Sequence, residues 1–175
     1  MHIRPAKAED ACAACSVIRR SITELCHADH SGDEVFLGKW LSNKTVENVT
    51  RWIRQSHVVV AEEAGTSLGV AAMTDTGKIT LNYVSPHARF QGVSKALMQW
   101  LEARARTLSL TECVLEATQT ALPFYESLGY VKSGQTYLLP LTGSPATVLR
   151  STFIFPAGRE HFTVTSRALS RADVM

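Results

Sequence analysis

The sequence lacks the long apolar run, about 18 residues, that a membrane-spanning helix requires. Its opening residues, MHIRPAKAED, also lack the apolar segment of a secretory signal. The charge surplus is small, at +2, so the composition does not favour nucleic acid as a partner. We therefore expect a cytoplasmic protein whose partners are small and which binds neither a membrane nor nucleic acid.

Cysteine is scarce, with four residues in a chain of 175, so reduced thiols are expected rather than a disulfide framework. Cys12 and Cys15 have the spacing of a redox pair, but the apolar residues around them recur at helical intervals and favour an amphipathic helix. Cys26, His27 and His30 supply fewer than the four ligands of a closed zinc site. Their spacing matches no common zinc finger, and no metal is expected.

No internal repeat or domain boundary is visible, and the length suits one α/β domain over residues 1–175. Hydrophobic periodicity predicts a short first strand, helices from residue 10 with Asp10 and Thr45 as caps, and an antiparallel meander over residues 57–84. A long helix and a buried strand, residues 113–117, should follow. That strand should lie parallel to the end of the meander, because a helix separates the two.

The last strand of the sheet is less clearly marked in the sequence. Residues 142–175 contain two apolar runs, FIF and FTVTSRAL, without a decisive alternation. We favour FTVTSRAL, residues 162–169, as the last strand. The segment before it contains Pro and Gly and is predicted to form a long surface loop.

One turn has the form of an anion-binding site. Residues 89–95, RFQGVSK, lie between a predicted strand and the long helix, where consecutive backbone N–H groups can face a phosphate. Gly92 would let the backbone approach the anion closely, and Arg89 and Lys95 add positive charge. The turn has neither the three glycines of a dinucleotide fingerprint nor the GK[ST] of a P-loop.

Two motifs occur together in the second half of the chain. The turn matches R/Q-x-x-G-x-G/A followed by Leu, through Arg89, Gln91, Gly92, Val93, Ser94 and Leu97. A small residue, an aromatic, a tyrosine and a Gly-aromatic pair follow, as Ala121, Phe124, Tyr125, Gly129 and Tyr130. The pair of motifs resembles the GNAT superfamily of N-acetyltransferases. The resemblance covers residues 1–141, whereas residues 142–175 are atypical.

The resemblance implies a GNAT-type fold, with a mixed, mainly antiparallel sheet that contains a splayed pair of parallel strands and is flanked by helices. It also implies acetyl-coenzyme A (acetyl-CoA) as cosubstrate and Tyr125 as the catalytic group that protonates the departing thiolate. Val84 is the residue expected to polarise the acetyl carbonyl through its backbone. The residues implied in cofactor binding are Asn82, Tyr83, Val84, Arg89, Gln91, Gly92, Val93, Ser94, Lys95 and Thr118.

The sequence departs from the family pattern at three places. Ser94 stands where Gly or Ala is usual, and its hydroxyl could bond a phosphate oxygen. Thr118 stands where Asn often opens the second-motif helix, and it is predicted to cap that helix in the same way. The strand LNYV carries no Glu for a general base, so a water relay is expected. Other candidate proton acceptors are Glu24, His27, Asp29, His30, Asp33, Glu34, Glu62 and Glu63.

The leading hypothesis is an N-acetyltransferase that moves acetyl from acetyl-CoA to a primary amine of a small molecule or peptide, by direct attack in a ternary complex. The alternative is a non-catalytic sensor of acyl-CoA on the same fold, suggested by the missing carboxylate and the atypical C-terminal residues. A redox or zinc protein is a third class. A homodimer is expected only by analogy with the family, and the acceptor is left open.

Overall fold

The computed structural model describes residues 1–134, 137–138 and 145–152. The strands in these ranges are β1 (His2–Pro5), β2 (His57–Glu63), β3 (Thr66–Met73), β4 (Lys78–Val84), β5 (Glu112–Thr118), β6 (Val131–Lys132), β7 (Tyr137–Leu138) and β8 (Pro145–Thr152). The α-helices are α1 (Ala11–Arg20), α2 (His27–His30), α3 (Glu34–Leu41), α4 (Val46–Gln55), α5 (Val93–Thr107) and α6 (Leu122–Ser127). None of the helices in these ranges is long and apolar enough to cross a membrane.

The strands form one sheet in the order β1-β2-β3-β4-β5-β8-β6, with β7 also paired to β8. From β1 to β4 neighbouring strands run antiparallel, as predicted for the meander. β5 runs parallel to β4, and α5 connects the two. The structure therefore confirms the predicted mixed sheet with one parallel pair.

Two apolar layers cover opposite faces of the sheet. Successive side chains of β2 alternate between them, so that Val59 packs in the layer of α5 and α6, whereas Val58 and Val60 pack in the layer of α1 and α4. All three are almost completely buried. The burial of both faces explains why the strand HVVVA reads as a continuous apolar run.

α5 approaches the sheet most closely at Gly69 in β3. A Cβ at this position would lie 2.8 Å from Val93 Cγ1, 2.9 Å from Leu97 Cδ1 and 3.1 Å from the carbonyl oxygen of Tyr83. Packed carbon atoms prefer separations of about 3.5–4.0 Å, so only glycine fits without movement. The first turn of α5 is thus held directly over the end of β4.

Local details agree only partly with the sequence predictions. Thr45 caps α4 as predicted, since its hydroxyl oxygen accepts a hydrogen bond from the N–H of Asn48 at 3.2 Å. Asp10 precedes α1 but does not cap it; its carboxylate accepts hydrogen bonds from the Arg4 guanidinium and the Lys7 N–H instead. The predicted first helix also changes character, because a π-helical turn (Ser21–Leu25) follows α1.

Part of the segment that we predicted to be a surface loop forms a strand. Residues 146–152 of β8 pair antiparallel with the whole of β5. Leu149 is the one large side chain of β8 in the fully buried core, so the strand has no clear apolar alternation. The segment FTVTSRAL, which we predicted as the strand, lies outside the described residues.

Candidate functional site

The parallel strands β4 and β5 are paired only at their beginnings. Lys78 pairs with Val114 and Ile79 with Leu115, and no further pair joins the two strands. The edge of β4 from residue 80 onward is therefore not covered by β5. This is the splayed strand pair that the family resemblance implies.

A β-bulge explains why the pairing ends there. On the β3 side Met73 pairs with Ile79, but the next pair is Ala72 with Leu81, so Thr80 is an extra residue in β4. A bulge bends its strand and increases the local twist. Because Thr80 directly follows the last residue paired to β5, the bend turns the end of β4 away from β5.

Val84 presents its backbone N–H to the resulting gap. The N–H of Ser85 donates to the Leu68 carbonyl, and hence points toward β3. Since successive N–H groups of a strand point to opposite sides, the N–H of Val84 points toward the β5 side. This orientation supports the sequence-based choice of Val84 as a backbone donor.

The turn between β4 and α5 leaves several N–H groups free of intrahelical bonds. Gly92 has φ +79° and no atom within 4 Å of the position its Cβ would take. The first helical bond runs from the N–H of Ala96 to the Gly92 carbonyl. The N–H groups of Val93, Ser94 and Lys95 therefore precede the helical ladder, and no side chain caps them.

The polar side chains of the turn have different surroundings. Arg89 and Lys95 are exposed, and the Arg89 guanidinium lies 4.5 Å from the ring centre of Phe90. Phe90 itself is 90% exposed and has φ +63°, which is uncommon for a bulky residue. The side chain of Gln91 instead supports the turn, because its Nε2–H donates to the His87 carbonyl at 2.9 Å.

Tyr125 and Asn82 come together on the α6 face of the sheet. Tyr125 lies in the first turn and a half of α6 and is 8% exposed. The Nδ2 of Asn82 lies 3.4 Å from the Tyr125 hydroxyl oxygen and donates to it. Phe124 and Tyr130 make edge contacts with the ring. Burial raises the pKa of Tyr125 above its ordinary value, so the phenol keeps its proton at neutral pH.

Tyr83 points to the opposite face. Its ring packs with the α1 and α4 layer, and its hydroxyl interacts with Trp40 of α3. Burial raises the pKa of Tyr83 well above its usual range. Of the two tyrosines near the strand end, only Tyr125 shares a face with Asn82.

Thr118 does not cap α6, contrary to the prediction. The N-cap position is Ala121, and the Thr118 hydroxyl donates to Asp29 Oδ2 at 3.0 Å. Asp29 Oδ1 also accepts the Thr120 hydroxyl at 2.8 Å and the Thr120 N–H at 3.4 Å. One carboxylate thus joins α2 to the β5–α6 connection across about half the chain. The sequence gives no local signal for this contact, because both ends are short polar segments.

Most of the candidate proton acceptors are engaged in structural contacts. Glu24 pairs with Arg20, and Glu62 with Arg4. Glu63 pairs with the N-terminal amine. The carboxylate of Asp33 caps α3. Together with Asp29, these contacts engage five of the six candidate carboxylates, and the sixth, Glu34, is exposed.

His27 and His30 lie close together in α2, with ring centres 5.2 Å apart. His30 is 4% exposed, and its Nδ1 accepts the Gly32 N–H at 3.1 Å, so that nitrogen is not free to accept another proton. Burial raises the pKa of Cys26 to about 12. Within residues 1–134, 137–138 and 145–152, no three His, Cys, Asp or Glu side chains converge as metal ligands.

A separate cleft of about 530 Å³ lies near the beginning of β2 and the C-terminal half of α5. Ile53, His57, Trp100 and Arg104 are among its lining residues. None of the residues predicted for catalysis or cofactor binding lines this cleft. The predicted residues gather instead at the opposite end of α5, around the open edge of β4.

The sequence model of the acetyltransferase (GNAT) domain matches residues 21–138 of this chain. The chain belongs to the GNAT family. No curated protein matches it. The fold is that of a GCN5-related N-acetyltransferase from Rhodopseudomonas palustris, described as "Aminotransferase, Class-II", at 21% identity and a TM-score of 0.79 over 87% of this chain and 95% of that one.

Two further GNAT structures contain coenzyme A. The PaiA N-acetyltransferase from Thermoplasma acidophilum has 17% identity and a TM-score of 0.73, over 87% of this chain and 98% of that chain. An aminoglycoside 6'-N-acetyltransferase has 15% identity and a TM-score of 0.67, over 90% of this chain and 100% of that chain. These likenesses show the fold, and acetyl-CoA is the acyl donor of GNAT enzymes.

The geometry of this chain fits that cosubstrate. Free N–H groups at a helix N-terminus suit phosphates, and the space above Gly92 admits a close anion. The uncovered edge of β4 offers backbone groups to an extended amide chain. The two features adjoin, because the Gly69 contact places α5 beside Tyr83.

Proposed function

We propose that this GNAT protein transfers an acetyl group from acetyl-CoA to a primary amine of a small molecule or peptide, by direct attack in a ternary complex. One observation carries the proposal most strongly: a buried tyrosine lies beside the uncovered edge of β4, where the strand also presents a free N–H. The strand edge supplies a donor for developing carbonyl charge, and the tyrosine supplies a proton.

The phosphate-binding role belongs to residues 91–95 in this proposal. The N–H groups of Val93, Ser94 and Lys95 bind pyrophosphate oxygens, and the positive end of the α5 dipole strengthens these bonds. Arg89 and the Lys95 side chain add charge at the exposed rim. Because Gly92 has no side chain, the phosphates can come close to the backbone of the turn. Acetyl-CoA, when bound, supplies the acetyl thioester for transfer.

The acyl end of the site is formed by strand β4, strand β5 and Tyr125. The backbone of Asn82 and Val84 binds the extended pantetheine arm, and the N–H of Val84 donates to the acetyl carbonyl oxygen. The backbone N–H of Tyr83, which was also predicted to bind the cosubstrate, points toward β3 instead, where Tyr83 pairs with Val70. Thr118, the last residue of β5, contacts the cosubstrate from the other side of the gap. Tyr125 holds its proton on Oη and delivers it to the departing sulfur. Water takes the surplus proton of the amine.

The cofactor site is tested by calorimetric titration with acetyl-CoA of the wild type and of Gly92→Glu. The substituted side chain would fill the space above the turn and repel the pyrophosphate. Gly65→Glu is a matched control, since Gly65 also has a positive φ, of +77°, and nothing within 4 Å of its Cβ position, but lies in the β2–β3 turn. Binding that is lost in Gly92→Glu and kept in Gly65→Glu supports the assignment; equal binding refutes it.

Turnover separates the enzyme from the acyl-CoA sensor. Release of free thiol is measured with kanamycin, n-butylamine and a short peptide with a free N-terminal amine. Kanamycin is included because one protein of the same fold is named for aminoglycosides. Tyr125→Phe should lower kcat by about 100-fold with little change in KM. Tight acetyl-CoA binding without turnover of any of these amines would favour the sensor.

A further inference from the structure

The side-chain amide of Asn82 has a hydrogen-bond partner for its nitrogen but none for its oxygen. Its Nδ2 donates to Tyr125 Oη, at 3.4 Å. Its Oδ1 is fully buried, and no described residue donates to it. Buried acceptors without a partner are rare in folded proteins, so each one calls for an explanation. Asn82 belongs to the part of β4 that lies beyond the last backbone pair with β5.

The direction of the first hydrogen bond fixes the state of the phenol. Since Asn82 donates, the Tyr125 oxygen acts as acceptor and its own O–H points elsewhere. If the amide were turned around, the phenol would donate to Oδ1 and its proton would not be available. The free Oδ1 and the available phenol proton are therefore two consequences of one amide orientation.

We propose that Asn82 bridges the acid and the nucleophile of the transfer reaction: its Nδ2–H holds Tyr125 Oη, and its Oδ1 accepts a hydrogen bond from the N–H of the acceptor amine. This role rests on the proposed function. Nδ2 and Oδ1 belong to one planar amide, so their partners, Tyr125 Oη and the amine nitrogen, would lie close to each other. The reaction requires this closeness, because the attacking nitrogen and the leaving sulfur are joined to the same acetyl carbon. Asn82 is thus a specificity residue for the amine and a positioning residue for Tyr125.

The proton balance of the step is complete. The new bond joins the amine nitrogen to the acetyl carbon, and the bond from that carbon to sulfur breaks. Sulfur receives the phenol proton of Tyr125, the nitrogen loses one proton to water, and the phenol recovers a proton from water. An amide oxygen is not basic enough to remove the amine proton, so Asn82 orients the amine and leaves its lone pair free for attack.

The phenol contact is tested without cofactor or turnover. Protein labelled with 13Cζ-tyrosine has four such tyrosines, and Tyr125→Phe identifies the resonance of Tyr125 at pH 7. Asn82→Leu should move that resonance toward the phenolate position, because the phenol oxygen loses a donor. Asn82→Asp should move it further, because the phenol would then donate a hydrogen bond to the carboxylate. Asn48→Leu, which removes an amide contact in α4, should leave it unchanged. A shift away from the phenolate position in Asn82→Leu overturns the proposal.

The amine contact is tested with whichever of kanamycin, n-butylamine and the peptide the wild type acetylates fastest. Asn82→Leu should raise KM for the amine about fivefold and lower kcat, whereas Asn82→Asp should keep the amine KM and lower kcat about tenfold or more. The kcat effect of Asn82→Asp should vanish in the Tyr125→Phe background. Acetyl-CoA affinity should not change in either variant.

The outcomes separate this role from the proposed function. An active wild type with an unchanged amine KM in Asn82→Leu, or with weakened acetyl-CoA affinity instead, overturns the role of Asn82 alone. Additive kcat losses for Asn82→Asp and Tyr125→Phe do the same, since they exclude a shared proton. A wild type that binds acetyl-CoA but acetylates none of the amines refutes the proposed function and this role with it.

Discussion

Substituting Gly69 by alanine should damage both the stability and the cofactor site, because this glycine sets the distance between α5 and β4. Two of the three nearest atoms are ends of side chains, Val93 Cγ1 and Leu97 Cδ1, and these can turn aside. The third is the backbone oxygen of Tyr83, 3.1 Å from the new Cβ. That oxygen belongs to β4, which is paired with β3, so the contact is relieved only if β3 or β4 moves.

The magnitude follows from two opposing effects. Inserting one methyl group into a packed core costs about 1–3 kcal/mol. Replacing glycine by alanine also restricts the unfolded chain, and this effect stabilises the folded state by about 0.4–1 kcal/mol. We expect a net loss of about 1–2 kcal/mol, and a midpoint of thermal unfolding lower by about 2–8 °C for a chain of this size.

The assay is urea unfolding combined with acetyl-CoA titration. Gly38→Ala is the matched control, since Gly38 lies in α3 with nothing within 4 Å of its Cβ position. That change should stabilise the protein by about 0.5–1 kcal/mol and leave cofactor binding intact. If Gly69→Ala were as stable as Gly38→Ala and bound acetyl-CoA equally well, the close approach would not control the site.

Three further predictions concern Lys44, Asp29 and the cysteines. Burial lowers the pKa of Lys44 from its ordinary value of 10.5 to about 8. Protonation in the folded state is therefore penalised below pH 8, and stability rises between pH 8 and 10.5. Lys44→Met should therefore be more stable than wild type at pH 7 by about 1–3 kcal/mol, with the gain fading toward pH 10; a pH-independent difference in urea unfolding would contradict this. Asp29→Ala removes three hydrogen bonds between α2 and the β5–α6 connection and should lower the free energy of unfolding by about 1–3 kcal/mol, and an unchanged urea midpoint would count against that link. A thiol reagent at neutral pH should label the exposed Cys12 first and the buried Cys15 and Cys113 only on unfolding, which rapid labelling of all four would disprove.

The sequence predicted the elements whose signal is local. The meander, the turn before α5, the cap at Thr45 and the parallel strand are marked by residues close together in the chain. Contacts between distant segments were not predictable in this way. The Asp29 carboxylate accepts a hydrogen bond from Thr120, which is 91 positions away, and the residues around neither one indicate that the two should meet. The bulge at Thr80 was also missed, since an extra residue in a strand is visible only against the register of β3. The strand β8 was predicted as a loop because its inner face carries few large apolar side chains.

The site forms where three departures from regular geometry meet. The bulge at Thr80 turns β4 away from β5, the absent Cβ of Gly69 admits α5, and the positive φ of Gly92 opens the turn above the helix N-terminus. They coincide in space because Val84, at the end of the bent strand, pairs with Gly69. The Gly69–Val84 pair therefore lies between the turn proposed to bind pyrophosphate and the proposed acyl end. A substitution that shifts α5 at Gly69 must alter both ends of the site together, whereas one at Gly92 affects only the phosphate end. Acetyl-CoA and its truncated pantetheine thioester, compared in these two variants, distinguish the cases: Gly92→Glu should weaken only the full cosubstrate, and Gly69→Ala should weaken both.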